Sequence, residues 1–259
     1  MPASPAAPSR SSSVHPVGHP AGGESGAPKE PPRELYRAGA PFSDEELQMM
    51  VAEGALEHLI ADVYAPAWRR HTPGLRARAA RLLLPSAVAS SSVLCGESAA
   101  WIQLGGSPGP RLTLISPVFR RGRAAGSPLW QVHQVELSDH DVRRVSGVAV
   151  TTLLRTAGDL FLGVGTTDSR RSLDLLAAGS VHARHPELSS AAGAADPAWM
   201  SRWWLLAELM HARRQDLDAA TLSAHLVARV RRRRHDPDRP ARIRTLVDQC
   251  ASRRRPTVR

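Results

Sequence analysis

Asp139, His140 and Asp141 in the run SDHD, and His182 and His185 in HARH, are the side chains of this sequence best suited to acid–base or metal chemistry. Carboxylates and imidazoles so closely spaced can move a proton or share a cation. That work needs more than the run itself: a nucleophile beside its base, a second carboxylate, or further ligands at usable spacing. Neither run has a matching partner motif, and a short Asp/His cluster in a loop is ordinarily a turn or a cap. Gly163 to Ser169, GVGTTDS, lacks both the Gly-x4-Gly-Lys spacing of a phosphate loop and the dinucleotide fingerprint. Cys95 and Cys250 are far apart and form no metal-ligand spacing, which fits a reduced, cytoplasmic setting. The expectation is a protein that is not an enzyme, with no catalytic residue, cofactor or metal.

The remaining chemistry is that of cations. The net charge of the 259 residues is +10, and residues 200–259 hold 15 Arg against six acids, so +9 of it lies there. The 19 bases and 18 acids before position 200 nearly cancel. A chain neutral over most of its length and basic at one end has an electrostatic arm for a polyanion, or a solvated charged helix. Arg231, Arg232, Arg233 and Arg234 end the helix LDAATLSAHLVARVRRRRH, where cations also suit the helix dipole. Arg33, Arg37, Arg69 and Arg70 flank a second candidate element and are placed to meet phosphates. Arg120, Arg121 and Arg123 fall in a loop between two strands, which is either a phosphate contact or an exposed hairpin tip.

That second element is FSDEELQMMVAEGALEHLIADVYAP, Phe42 to Pro66. Ser43 and Glu46 form a capping box, and Phe42 with Leu47 its hydrophobic staple. Leu47, Met50 and Val51 share a face, and Gly54 ends the helix. LEHLI and VYAP are then two strands around a turn at Ala61 and Asp62. RELYRAG, Arg33 to Gly39, is expected as a short first helix, which would complete a helix-turn-helix. Residues 1–32 have the composition of a disordered tail. Thr72 and Pro73 open a helix that stops near Pro85. The small residues Ser90, Ser91, Ser92 and Cys95 imply close packing, and ESAAWIQL a helix closed by Gly105 and Gly106. RLTLISP, LWQVHQVEL and VSGVAV read as strands, and TTLLRTAGDLFL as a helix. Asp168 caps a further helix, SRRSLDLLAAG. Asp196 and Pro197 begin one whose Trp199, Trp203 and Trp204 make a core face. No apolar run of membrane-spanning length is present.

These segments, in order, resemble the AbiEi-type antitoxins of type IV toxin-antitoxin systems, in their actinobacterial form. The resemblance rests on SDEELQMMVAEGALEHLIADVYAP, SAVASSSVLCGESAAWIQLGG, RLTLISP with VHQVEL, and above all VSGVAVTTLLRTAGDLF, and covers roughly Arg33 to Gly179. It implies an α+β protein with a winged helix-turn-helix over residues 33–71 and an antitoxin-like mixed α/β domain over 72–180; the helical, basic C-terminal region expected over 181–259 lies outside it. It further implies a DNA-binding transcriptional regulator that represses its own operon by binding double-stranded operator DNA. The partner in that family is a nucleotidyltransferase-like toxin, which the antitoxin counteracts. The hairpin departs from the family pattern: it carries Glu57 and Asp62 and no Lys or Arg. The alternative is therefore a non-catalytic protein-interaction module that has kept the fold and lost DNA binding.

Overall fold

The structure, a computed structural model, describes residues 34–39, 41–116, 127–166, 197–230 and 238–252. All of them belong to one compact unit, Glu34–Arg259. The expected tail, Arg33, Arg120, Arg121 and Arg123, the helix after Asp168, His182, His185 and Arg231 to Arg234 lie outside the described residues. The fold is mixed α+β, with eight strands in two sheets and eight α-helices among the described residues. No helix among them is long and apolar enough to cross a membrane.

The chain enters as strand β1 (Tyr36–Arg37), where a first helix was expected. Tyr36 and Arg37 pair antiparallel with Tyr64 and Val63, so the hairpin edge recruits this segment before it can complete a helical turn. Helix α1 (Asp44–Ala52) follows, and its capping box is complete: Glu46 N–H donates to Ser43 Oγ at 3.2 Å and Ser43 N–H to Glu46 Oε2 at 2.7 Å. Gly54, at φ +75°, turns the chain into β2 (Leu56–Ile60), which forms an antiparallel hairpin with β3 (Val63–Pro66). Sheet order is β1-β3-β2. A register shift between His58 and Ile60 lets consecutive Leu59 and Ile60 both face the larger core. Leu56 and Tyr64 face the other way, onto Leu47 of α1.

Helix α2 (Pro73–Leu82) starts at Thr72, whose hydroxyl accepts from Leu75 N–H, with Pro73 at the first position. A short helix α3 (Ser86–Ser91) and a two-residue strand β4 (Val93–Leu94) lead into α4 (Gly96–Leu104). Helix α3 was not expected as a separate element. The second sheet has order β6-β5-β4-β8-β7, from β5 (Leu112–Ile115), β6 (Trp130–His133), β7 (Val142–Val145) and β8 (Val148–Thr151). VSGVAV is thus the turn and second arm of a hairpin: Ser146 and Gly147, both at positive φ, separate β7 from β8. β5 and β6 pair in parallel, so the two strands do not make a hairpin.

Helix α5 (Leu153–Leu162), capped by Thr152 and closed by Gly163 in the left-handed region, carries RTAGDL. Against it pack α6 (Pro197–Ala212), which also meets α4, and α7 (Ala219–Val230), and α8 (Arg239–Ser252) packs on α6 and α7. Trp203 is buried with its ring edge-on to Phe161 at 5.3 Å, as a core aromatic. Ala99, Trp101 and Ile102 of α4 belong to the core shared with the sheets, and Ala100 to the core shared with α5 to α8.

Gly96 begins α4 at φ +49°, where an added Cβ would stand 2.2 Å from the Gly165 carbonyl oxygen. Gly96→Ala should therefore cost about 2 kcal/mol or more, through both backbone strain and a clash with main chain. Ser43→Ala, which removes only one arm of an exposed cap, should cost about 1 kcal/mol. Urea unfolding of both variants checks the order; a Gly96→Ala protein as stable as Ser43→Ala would mean that the turn at Gly165 yields freely.

Candidate functional site

From Ala38 to Trp68 the chain holds Asp44, Glu45, Glu46, Glu53, Glu57 and Asp62 and no Lys or Arg. Folding concentrates them, because α1 and the hairpin lie together. Asp44 is held inward: its Oδ1 accepts from the Tyr64 hydroxyl at 2.9 Å and its Oδ2 from Gln48 at 2.6 Å. Burial first, and then Asp44, push the Tyr64 hydroxyl's pKa up, so it stays a donor. Glu45, Glu46, Met49 and Glu53 remain exposed on α1, as does Trp68 just after β3, at 67%. Exposed acids and an exposed tryptophan are among the groups by which charge complementarity and aromatic anchors carry protein contacts.

The cations expected to read DNA here are otherwise engaged. Arg37 donates through Nε to Asp62 at 2.9 Å and through Nη1 to the Leu82 carbonyl at 2.8 Å, fastening β1 to the hairpin turn and to the end of α2. Arg69 pairs with Glu34, which also accepts from Arg78 Nη2 at 2.5 Å. Arg70 is exposed, and its side chain has no ion pair among the described residues. Of the described arginines expected to contact DNA, Arg37 and Arg69 are thus tied to acids and Arg70 is free.

A second polar cluster is buried between α5, α7 and the turn before β7. Arg155 is fully buried; its Nε donates to Asp159 Oδ1 at 2.7 Å, and its Nη1 to Asp141 Oδ2 at 3.1 Å and the Glu136 carbonyl at 3.0 Å. Arg229 approaches Asp141 from α7 at 3.7 Å. His225 lies on Gly158, where a Cβ would stand 3.1 Å from its ring. Asp141, expected only as a turn residue, is therefore the outer counter-ion of Arg155, while it also accepts from Ser138 N–H at 3.0 Å to close the 3-10 turn Asp139–Asp141. Burial raises its pKa, but Ser138 and Arg155 outweigh this and hold it below the usual range. Burial dominates at Asp159, pushing its carboxyl up to about 6 against the pull of Arg155. Burial and Arg229 keep His225 low, hence neutral. Asp159 is 1% exposed, and the cluster ties α5 to the connection before β7 and to α7. Cys95 is fully buried and its thiol is pushed well up by burial, which leaves it without thiolate reactivity. Among the described residues no three His, Cys, Asp or Glu side chains converge to hold a metal ion.

The sequence reading missed the Arg155 cluster, although RTAGDL carried its signal: Arg and Asp four apart share one helix face. Comparison with protein-family models, curated proteins and solved structures finds no match to the chain.

A carboxyl whose native pKa is near 6, against about 3.9 unfolded, holds its proton more firmly when folded. Its contribution to stability is complete below about pH 4 and is lost as the pH rises through about 6. The advantage of wild type over Asp159→Asn in urea should thus be larger at about pH 4 than at about pH 7, by up to roughly 3 kcal/mol. An advantage that grows with pH would mean that the fold holds the ionised form.

Proposed function

We propose that this protein is a non-catalytic regulator of the antitoxin type that acts by holding a protein partner against the acidic face of α1 and the β2–β3 hairpin. The observation that carries the proposal is the run of six acids without a Lys or Arg from Ala38 to Trp68, on an otherwise basic chain. A winged helix that grips DNA meets phosphates with positive charge; this one would meet them with the wrong sign. The described residues also place a single helix between β1 and β2, so a helix-turn-helix pair has no counterpart there. The resemblance supplies the partner's class, a nucleotidyltransferase-like toxin encoded alongside.

The test is titration of the full chain with the product of the adjacent gene. Glu45→Lys with Glu53→Lys should weaken the complex by at least about tenfold, equivalent to 1.4 kcal/mol, whereas Arg70→Gln should leave it unchanged. A neighbour of unrelated class, or a complex indifferent to charge reversal on α1, counts against the proposal.

One observation favours a second reading, a DNA-binding regulator that represses its own operon: +9 of the net charge lies after position 200. In that case affinity for duplex DNA is electrostatic and belongs to the C-terminal region. Replacing Arg231 to Arg234 with Gln should flatten the log–log salt dependence by up to about four contacts, each worth a slope of roughly −0.9. Changing Arg70 should alter it by no more than about one contact. DNA titrations at several salt concentrations decide; a parent slope retained by the Gln variant would return those arginines to the role of a solvated helix end.

A further inference from the structure

A cavity of about 510 Å³ lies where the β2–β3 hairpin, α2, the end of α4 and the loop from Gly105 to Arg111 meet. Leu59, Leu83 and Trp101 line it with apolar surface, and His58, His71 and Arg76 with polar groups. Arg76 is only 6% exposed and has no carboxylate partner among the described residues. Its Nε and Nη2 donate to the Ile102 carbonyl at 3.1 and 2.8 Å, and its Nη1 donates to the His71 carbonyl. These bonds use three of the five N–H groups of a guanidinium. One N–H on each terminal nitrogen is left without a protein partner among the described residues.

The charge is under-compensated as well. Ile102 lies in the last turn of α4, whose carbonyl end supplies about half a negative charge. Neither nearby acid makes an ion pair with Arg76: Glu57 pairs with His71 at 3.1 Å, and Glu97 lies against Gly109, where a Cβ would stand 3.1 Å from its carboxylate. Gly105, at φ +91°, lets the loop pass the guanidinium; a Cβ there would stand 3.2 Å from Arg76 Nη1. Buried charges are ordinarily matched, and here the matching charge has room to come from outside the chain.

We propose that this cavity binds a small organic anion, with a phosphate or carboxylate on the free N–H groups of Arg76 and an apolar body against Leu83 and Trp101. The volume is that of a small-molecule site, and the pattern of apolar walls with one charged anchor is what such sites use. Arg111 lines the same space from the loop, on the solvent side, and adds a second positive charge for an arriving anion.

Isothermal titration of the full chain at constant ionic strength, with phenyl phosphate, benzoate, inorganic phosphate and benzyl alcohol as probes, tests the proposal. Phenyl phosphate or benzoate should saturate one site, about tenfold or more tighter than the neutral alcohol. Which of the two binds better separates a phosphorylated ligand from a carboxylated one, and inorganic phosphate should be weaker than the better of them. Arg76→Gln should lose about tenfold or more in affinity. If that variant does not fold, Ser107→Trp, on the exposed loop that lines the cavity, should block the same binding. The proposal is overturned if neither organic anion saturates, if benzyl alcohol binds as well, or if either folded variant keeps the wild-type affinity.

Discussion

The buried guanidinium of Arg155 is the constraint around which the larger part of the molecule is arranged. A fully buried cation needs its charge met, and the groups that bond its Nε and Nη1 come from different places in the chain, Asp159 one turn along α5 and Asp141 with the Glu136 carbonyl from the connection between β6 and β7, while Nη2 has no hydrogen-bond partner among the described residues. Arg229 and His225 of α7 then close over the same point, with Gly158 leaving space for the imidazole. The arrangement fixes the rotation of α5 about its own axis. Once that is fixed, Leu160 and Phe161 must face α6, α7 and α8, and Thr156 must face Gln103 of α4. A hydrophobic stripe alone would tolerate several such rotations; a salt bridge with two acids and a carbonyl tolerates one.

The second requirement is proximity, and small residues meet it. Helix α4 is buried on nearly every side, so its neighbours approach its backbone. Gly96 and Gly165 touch, Cys95 packs on Gly165, and Ser98 exchanges hydrogen bonds with Thr113 of β5: Thr113 N–H donates to Ser98 Oγ at 2.8 Å and Ser98 N–H to Thr113 Oγ1 at 3.3 Å. Any larger side chain at these positions would separate the helix from its sheet. The same helix joins the two cores, Ala99 in one and Ala100 in the other, so the C-terminal helices are an extension of the packed α/β body and not an appendage.

Local signals were the legible ones. The Ser43–Glu46 box, the Ala61–Asp62 turn, the Thr72–Pro73 start and the helix expected from Thr151 to Leu162 are each decided by residues within a few positions of one another, and the structure has them there, save that Thr151 ends β8 and the helix begins at Leu153. What could not be read was decided at a distance. Tyr36 and Arg37 become a strand because β3 offers them an edge, and Val93 and Leu94 become one because β5 and β8 flank them. The parallel pairing of β5 with β6 has no local signature, since alternating apolar residues serve either direction. Val145 to Val150 looked like one strand because its apolar residues continue through the turn; only the positive φ of Ser146 and Gly147 divides it.

Charge placement at the N-terminal sheet follows the same logic and bears on what that sheet can do. Glu34 holds Arg69 and Arg78, and Arg37 holds Asp62 and the end of α2, so the three-stranded sheet is cross-linked to α2 by ion pairs as well as by Leu59, Ile60, Val63 and Ala65 in the shared core. One face of the sheet is covered by α2 and its neighbours and the other by α1. The hairpin is thereby held between two helices. The surface left to it is the outer side of α1, where Glu45, Glu46 and Glu53 stand around Met49 with no cation of their own element to neutralise them. Unneutralised acids on a rigid helix repel phosphate and attract basic protein surface over roughly a Debye length, about 8 Å at physiological salt. The cross-links that hold Arg37 on Asp62 and Arg69 on Glu34 leave Glu45, Glu46 and Glu53 as the acids on that side with no ion-pair partner among the described residues.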